Sequence, residues 1–131
     1  MEDCIFCKIL KGEIPTRKIY EDDLLMVIMN IAPATNGHLL VIPKKHQTNI
    51  FDVEEEFITD AFKVIRENIY PLLKERLNSE GLTIAENNEL GQDIRHFHFH
   101  LIPRYKDDNA DMKYNEDLLL DIEEIFNKLT K

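Results

Sequence analysis

Apolar and polar residues alternate most strictly between His96 and Leu101, where His96, His98 and His100 interleave with Phe97, Phe99 and Leu101. Successive side chains of an extended strand point to opposite faces. This stretch therefore predicts a strand with an apolar face for the core and an all-imidazole face opposite. Shorter apolar runs predict four more strands. Lys18 to Glu21 and Leu24 to Met29 are split by Asp22-Asp23, a hairpin signal. His38 to Ile42 is ended by Pro43, and Leu82 to Glu86 is followed by the polar turn Asn87 to Gly91. A second turn cluster, Ala32 to Gly37, precedes His38.

Three- and four-residue spacings mark the helices. Phe57, Ala61, Val64, Ile65, Ile69 and Leu72 predict one, opened by Asp52 and Glu55 as a capping box and kinked or broken near Tyr70 by Pro71. Leu118, Leu119, Ile122, Ile125, Phe126 and Leu129 form a second stripe, with Asn115 as its cap, acids early and Lys128 late. Ile5 to Leu10 reads as a short helical turn stopped by Gly12 and Pro15. The class is α+β: a mainly antiparallel sheet of about five strands with two main helices, plus a C-terminal helix. At 131 residues the length prior gives one domain, 1–131, with the motifs in 1–105 and an extension over 106–131.

Composition narrows the function. Hydrophobic content of 44% and charged content of 31% predict a soluble globular chain. No apolar run approaches the roughly 18 residues of a membrane span. Met1 to Cys4 is acidic and lacks a signal-peptide core, which predicts a cytoplasmic protein whose Cys4 and Cys7 stay reduced. A net charge of −9 argues against a nucleic-acid surface. It leaves an anionic small substrate open, because a few local donors decide that case. Lys44, Lys45, Arg95 and Arg104 flank the histidine segments and leave a locally positive cleft open.

The histidine strand admits three readings. The plain one is an exposed polar face that happens to be histidine. Against it, three of the five histidines fall within five positions beside Gly91-Gln92. The second is nucleophilic attack on phosphorus by a neutral imidazole, which splits one hard displacement into two easier ones. The middle residue, His98, has a histidine on each side to hold the flanking oxygens, and His100 would donate to a phosphate oxygen. The third is a catalytic metal held by histidines at i and i+2, with an open position for water. His38, on a neighbouring strand, reads equally as an orienting partner of the triad or as a satisfied core histidine.

Cys4-Ile5-Phe6-Cys7-Lys8-Ile9, Gly37-His38-Leu39-Leu40-Val41-Ile42-Pro43-Lys44-Lys45-His46 and Gly91-Gln92-x-x-x-His96-Phe97-His98-Phe99-His100-Leu101-Ile102 together resemble the histidine triad (HIT) family over about Cys4 to Tyr105. The resemblance implies a HIT-like fold that pairs as a homodimer. It implies a hydrolase or transferase acting at the α-phosphate of nucleotide conjugates, either dinucleoside polyphosphates or nucleoside phosphoramidates. His98 would carry the covalent nucleotidyl group, with no metal in the chemical step. A nucleotide-binding regulatory module with little turnover and a zinc-water hydrolase are the alternatives.

By the same resemblance Phe6, Ile9, Met29 and Ile31 match positions that line the base pocket. Asn30 falls where many relatives place a ribose-binding acid, and Asn87 and Gln92 match nucleotide contacts. Asp93 stands where a small hydroxyl residue often follows Gly-Gln, which brings a carboxylate close to a phosphate. Cys4-x-x-Cys7 lacks the strand-to-helix setting of a redox pair. Two thiolates at this spacing supply half of a tetrahedral zinc site, and His46 and His96 are the candidates for the other half. Some microbial relatives carry such a site. Inert buried thiols are the alternative.

Overall fold

The computed structural model describes residues 3–131. A short helix α1 (Ile5–Leu10) leads into a hairpin of β1 (Lys18–Glu21) and β2 (Leu25–Met29). β3 (Leu39–Pro43) follows, then α2 (Glu55–Val64) and α3 (Tyr70–Leu77) joined by a π-helical turn over Ile65–Ile69. β4 (Gly81–Ala85), β5 (Phe99–Arg104) and a terminal helix α4 (Ile122–Thr130) complete the chain. The five strands form one sheet in the order β1-β2-β3-β5-β4, and every neighbouring pair is antiparallel.

Strand parity builds two cores. Leu25 and Val27 of β2, Leu39 and Val41 of β3, and Phe99 and Leu101 of β5 face the long helix and pack on Phe57, Ala61, Ile65 and Ile69. Met26, Ile28, Leu40 and Ile42 face the other way and pack on Phe6 of α1. The register pairs Leu40 with His100, so the imidazole of His100 falls on the α1 side. β5 begins only at Phe99. Phe97 lies just outside the ladder, and its N–H donates to the Gln47 carbonyl (2.6 Å). The alternation survives, because Phe97 packs with Phe57 and Phe99 on the helix side.

Three expected local features turn out differently. Asp52 does not cap α2: its carboxylate accepts from the Thr48 and Asn49 N–H groups (2.9 Å each), holding the preceding turn. The Gln47 side-chain oxygen instead accepts from Glu54 N–H at the helix entrance (2.6 Å). Pro71 does not break the helix. It sits in the first turn of α3, where its missing N–H costs least, and the wider π turn before it takes up the misfit. Asn115 caps a 3₁₀ turn (Glu116–Leu118) through Asp117 N–H (3.0 Å), while α4 starts after Asp121. The terminal stripe splits accordingly, and Ile122, Ile125, Phe126 and Leu129 are exposed.

The β1–β2 turn is joined to α2 by two acids. Asp22 Oδ1 accepts from the Leu24 and Leu25 N–H groups (2.8 and 3.0 Å), and its Oδ2 accepts from the Tyr20 hydroxyl (3.2 Å). Asp60 of α2 faces it, with Oδ2 buried and without a partner among the described residues. Burial, then the hydrogen bond and charge of Asp22, push the Asp60 carboxyl up to about 6; Lys63 opposes them weakly. Asp22 is held below its ordinary value, so the shared proton sits on Asp60. A folded-state value above the unfolded one means the stabilisation is complete below about pH 4 and is lost as the pH rises through 6. Asp60→Asn keeps a donor at every pH. Its melting temperature should exceed that of wild type increasingly from pH 5 to 7.5, on the order of 1 kcal/mol at the top of that range. Melting curves that stay parallel across the range would remove the shared proton.

Candidate active site and metal centre

Three imidazoles meet in a cleft on the α1 face, and their hydrogen bonds fix their tautomers. His98 Nδ1 lies 2.8 Å from the His96 carbonyl oxygen. A carbonyl only accepts, so Nδ1 carries the proton and Nε2 keeps its lone pair. Ala34 N–H donates to His38 Nδ1 (2.9 Å), which leaves the proton of His38 on Nε2. That Nε2–H donates to His100 Nδ1 (2.9 Å), so the proton of His100 sits on its Nε2. Asn30 Nδ2 also comes within 3.3 Å of His38 Nε2, but both are donors there, so the approach is not a hydrogen bond. The rings of His98 and His100 are 4.9 Å apart, and Phe6 meets His98 edge-on at 5.1 Å.

The site therefore sets one bare nitrogen beside one N–H donor. Burial pushes the His100 imidazolium down to about 4, reinforced by its histidine neighbours and opposed by the Asp93 carboxylate. Burial lowers His38 in the same direction. Both rings are neutral at pH 7, as the relay of single protons requires. His38 is thus the orienting partner of the triad and not merely a satisfied core residue.

The cleft measures about 310 Å³ and is lined by His98, His100, Phe6, Asn30, Asn87 and Asp93. Ala32, Leu40, Gly91 and Ile94 also line it. Gly91 belongs to the Gly91-Gln92 motif, whereas Ala32, Leu40 and Ile94 were not among the expected site residues, although Leu40 follows from its pairing with His100. Four expected residues are not brought in. Met29 follows the parity of Leu25 and Val27 and packs on the helix-side core. Ile31 is 90% exposed in the loop after β2. Ile9 packs beneath the sheet beside Phe6 without reaching the cleft. Gln92 is buried, its amide donating to the Thr48 and Ile94 carbonyls (2.6 and 3.2 Å) and its oxygen accepting from Glu89 N–H (3.2 Å), so it shapes the loop.

The positive cleft does not form. Lys44 pairs with Glu21 (2.7 Å), Lys45 with Glu54, and Arg104 with Asp108 and Asp111 (2.9 Å each). Arg95 lines a neighbouring cavity. Donors to an anion in the cleft are therefore neutral N–H groups.

Beside the cleft, Cys4, Cys7, His46 and His96 hold their ligand atoms within 4.8 Å of one another, close enough to hold a metal ion. Cys4 Sγ, which accepts from Cys7 N–H at the start of α1 (3.4 Å), places both sulfurs on one side of that turn. Sulfur–nitrogen separations are 3.4 Å (Cys4–His96), 3.3 Å (Cys7–His46) and 3.6 Å (Cys7–His96), and the two Nδ1 atoms are 3.1 Å apart. A tetrahedral zinc needs edges of about 3.5 Å between sulfur and nitrogen and about 3.3 Å between nitrogens. His96 Nε2–H donates to the Pro43 carbonyl (2.9 Å), which bares Nδ1 toward the sulfurs. Burial pushes His96 down to about 4, and burial with Cys4 pushes the Cys7 thiol up to about 11. A neutral imidazole suits ligation. A thiol that resists ionisation by itself is one that a cation would deprotonate.

This sheet with its imidazole triad is the architecture of the histidine triad proteins, and the HIT domain model matches residues 11–107. The chain belongs to the HIT family. It is 35% identical over 103 residues to an adenosine 5′-monophosphoramidase of Schizosaccharomyces pombe, covering 77% of this chain and 74% of that one. A HIT family protein from Bacillus anthracis superposes with a TM-score of 0.81 at 34% identity, covering 98% of this chain and 94% of that one. A zinc-bound histidine triad protein from Mycobacterium smegmatis gives 0.78 at 34% identity, covering 88% and 85%. Among the described residues, no helix is long and apolar enough to cross a membrane.

Proposed function

We propose that the protein hydrolyses nucleoside phosphoramidates through a nucleotidyl group carried on His98. The observation that carries this reading is the tautomer of His98, which leaves its Nε2 bare in a residue that lines the cleft together with His100, whose proton is on Nε2. Nε2 attacks the α-phosphorus as the bond from phosphorus to the leaving nitrogen breaks. That nitrogen takes a proton from solvent and departs as the amine. The positive charge arising on the His98 ring is stabilised by its Nδ1–H on the His96 carbonyl. His100 Nε2–H steadies a non-bridging oxygen. Water then attacks phosphorus, the bond to Nε2 breaks, and the nucleoside monophosphate leaves with one water proton returned to the medium. Phe6 and Leu40 suit a base, and Asn30 and Asn87 suit ribose.

 The relative's adenosine phosphoramidase activity supports this substrate class.

Cys4, Cys7, His46 and His96 would hold a structural zinc, whose chemistry there is to neutralise two thiolates and fix the His96 ring. The zinc-bound relative supports that choice of metal. This use of His96 leaves His98 and His100 to the phosphate. Free thiols at Cys4 and Cys7 suit a reducing compartment such as the cytoplasm. β4 stands at the edge of the sheet, which supports the pairing of two copies into one continuous sheet.

Acid-quenching the protein during turnover of adenosine 5′-phosphoramidate should trap chain whose mass has grown by one adenylyl group, mapped to the His98 peptide. AMP release with no adduct under any quench would favour direct attack by water and overturn the covalent route.

A further inference from the structure

Asp93 belongs to two cavities at once. It lines the catalytic cleft with His98 and His100. It also lines a larger neighbouring cavity of about 610 Å³, whose walls include Asp3, Thr48, Ile94 and Arg95. A conjugate with its phosphorus at His98 and its nucleoside against Phe6 and Leu40 has this second space open to its other end. The charges along that path are uneven. Among the described residues, the cleft lining holds no lysine or arginine, and Asp93 is its only carboxylate. Among the same residues the outer cavity, whose wall also includes Cys4 and His46 of the metal-site group, sets Asp3 and Asp93 against the single guanidinium of Arg95. The nearby Lys44, Lys45 and Arg104 are spent on ion pairs elsewhere.

We propose that Asp93 is the leaving-group selector of this site, favouring conjugates whose leaving group carries an ammonium and disfavouring those that leave as a polyphosphate. The proposal rests on the phosphoramidate reading and narrows it. A polyphosphate leaving group brings several negative charges past a carboxylate with no cation in the cleft to offset them. An ammonium a few atoms beyond the scissile nitrogen meets the opposite field. The required chemistry is shared by diamines and by amino-acid amines, so the ammonium and not the wider molecule is what Asp93 reads.

Three probes test this: AMP joined through nitrogen to 1,2-diaminoethane, AMP joined likewise to propylamine, and diadenosine triphosphate. The first two differ in a terminal ammonium against a methyl group. In wild type the diamine conjugate should exceed the propylamine conjugate in kcat/KM by about five-fold, the upper range for an exposed ion pair. The ratio should fall toward one in Asp93→Asn and shrink with added salt in wild type. Asp93→Lys should raise the rate on diadenosine triphosphate, relative to the propylamine conjugate, by about five-fold. Asp93 is exposed, so these variants should fold, and AMP binding by each checks that the cleft is intact. Equal ratios in wild type and Asp93→Asn, or a wild-type preference for diadenosine triphosphate, would overturn the selector while leaving the nucleotidyl route standing. Failure of wild type to cleave any probe would overturn both.

Discussion

Replacing His98 with alanine should lower kcat on adenosine 5′-phosphoramidate by about 10⁴-fold or more, because the proposed nucleophile is gone and no neighbour can stand in for it. His100 is 4.9 Å away ring to ring, but its Nδ1 accepts from His38 and its Nε2 carries the proton, so it offers no lone pair to the cleft. His96 is fully buried, with Nε2 on the Pro43 carbonyl and Nδ1 turned toward the cysteines. The loss should fall on the chemistry and not on binding. Phe6, Leu40, Asn30 and Asn87 remain in place to hold a nucleoside. A dissociation constant for AMP within about ten-fold of wild type would show that the cleft survives. Turnover kept within ten-fold of wild type would mean that the bond to phosphorus forms elsewhere.

The sequence showed the triad because three imidazoles at period two have few uses, and strand parity needs no tertiary information. It showed the candidate metal-site residues as types and spacing, but their convergence depends on α1 folding under the sheet so that Phe6 packs against both His96 and His98. Parity was illegible where apolar residues run on without a break. Leu24 to Met29 offers no polar residue to mark a face, so Met29 and Leu40 could be sorted only by the observed register. Gln92 looked like a ligand-contacting residue, yet a buried amide must satisfy its own donors, and it donates to the Thr48 and Ile94 carbonyls. The expected cluster of cations dissolved for a related reason. Lys44, Lys45 and Arg104 lie beside histidine-bearing segments in the chain, but each pairs with an acid within reach. Pro71 marked a real irregularity, and its position in the first turn of α3 decided that the helix would widen instead of stopping.

If the proposed zinc is bound, Cys7→Ser should abolish its binding and lower stability by on the order of 3–5 kcal/mol, a fall of roughly 10–15 °C in melting temperature for a chain of this size. The buried sulfur of Cys7 lies between the nitrogens of His46 and His96, so its loss removes a ligand that both imidazoles share as a neighbour. A serine hydroxyl is a poor replacement for a thiolate on zinc. The stabilisation is this large because the four ligands come from separate parts of the chain: the start of α1, the loop after β3 and the approach to β5. One ion closes all three together, and the unfolded chain has no such site. Catalysis should suffer much less, within about ten-fold at temperatures where the variant is folded. His98 is held by the backbone carbonyl of His96 and not by its ring, and that ring keeps its hydrogen bond to Pro43 without the metal. Metal content by elemental analysis, melting temperature and kcat on one preparation separate these effects. A chelator-treated protein that melts where the untreated one does would remove the structural zinc, and a variant that lost turnover in step with metal while still folded would place the ion in the chemical step.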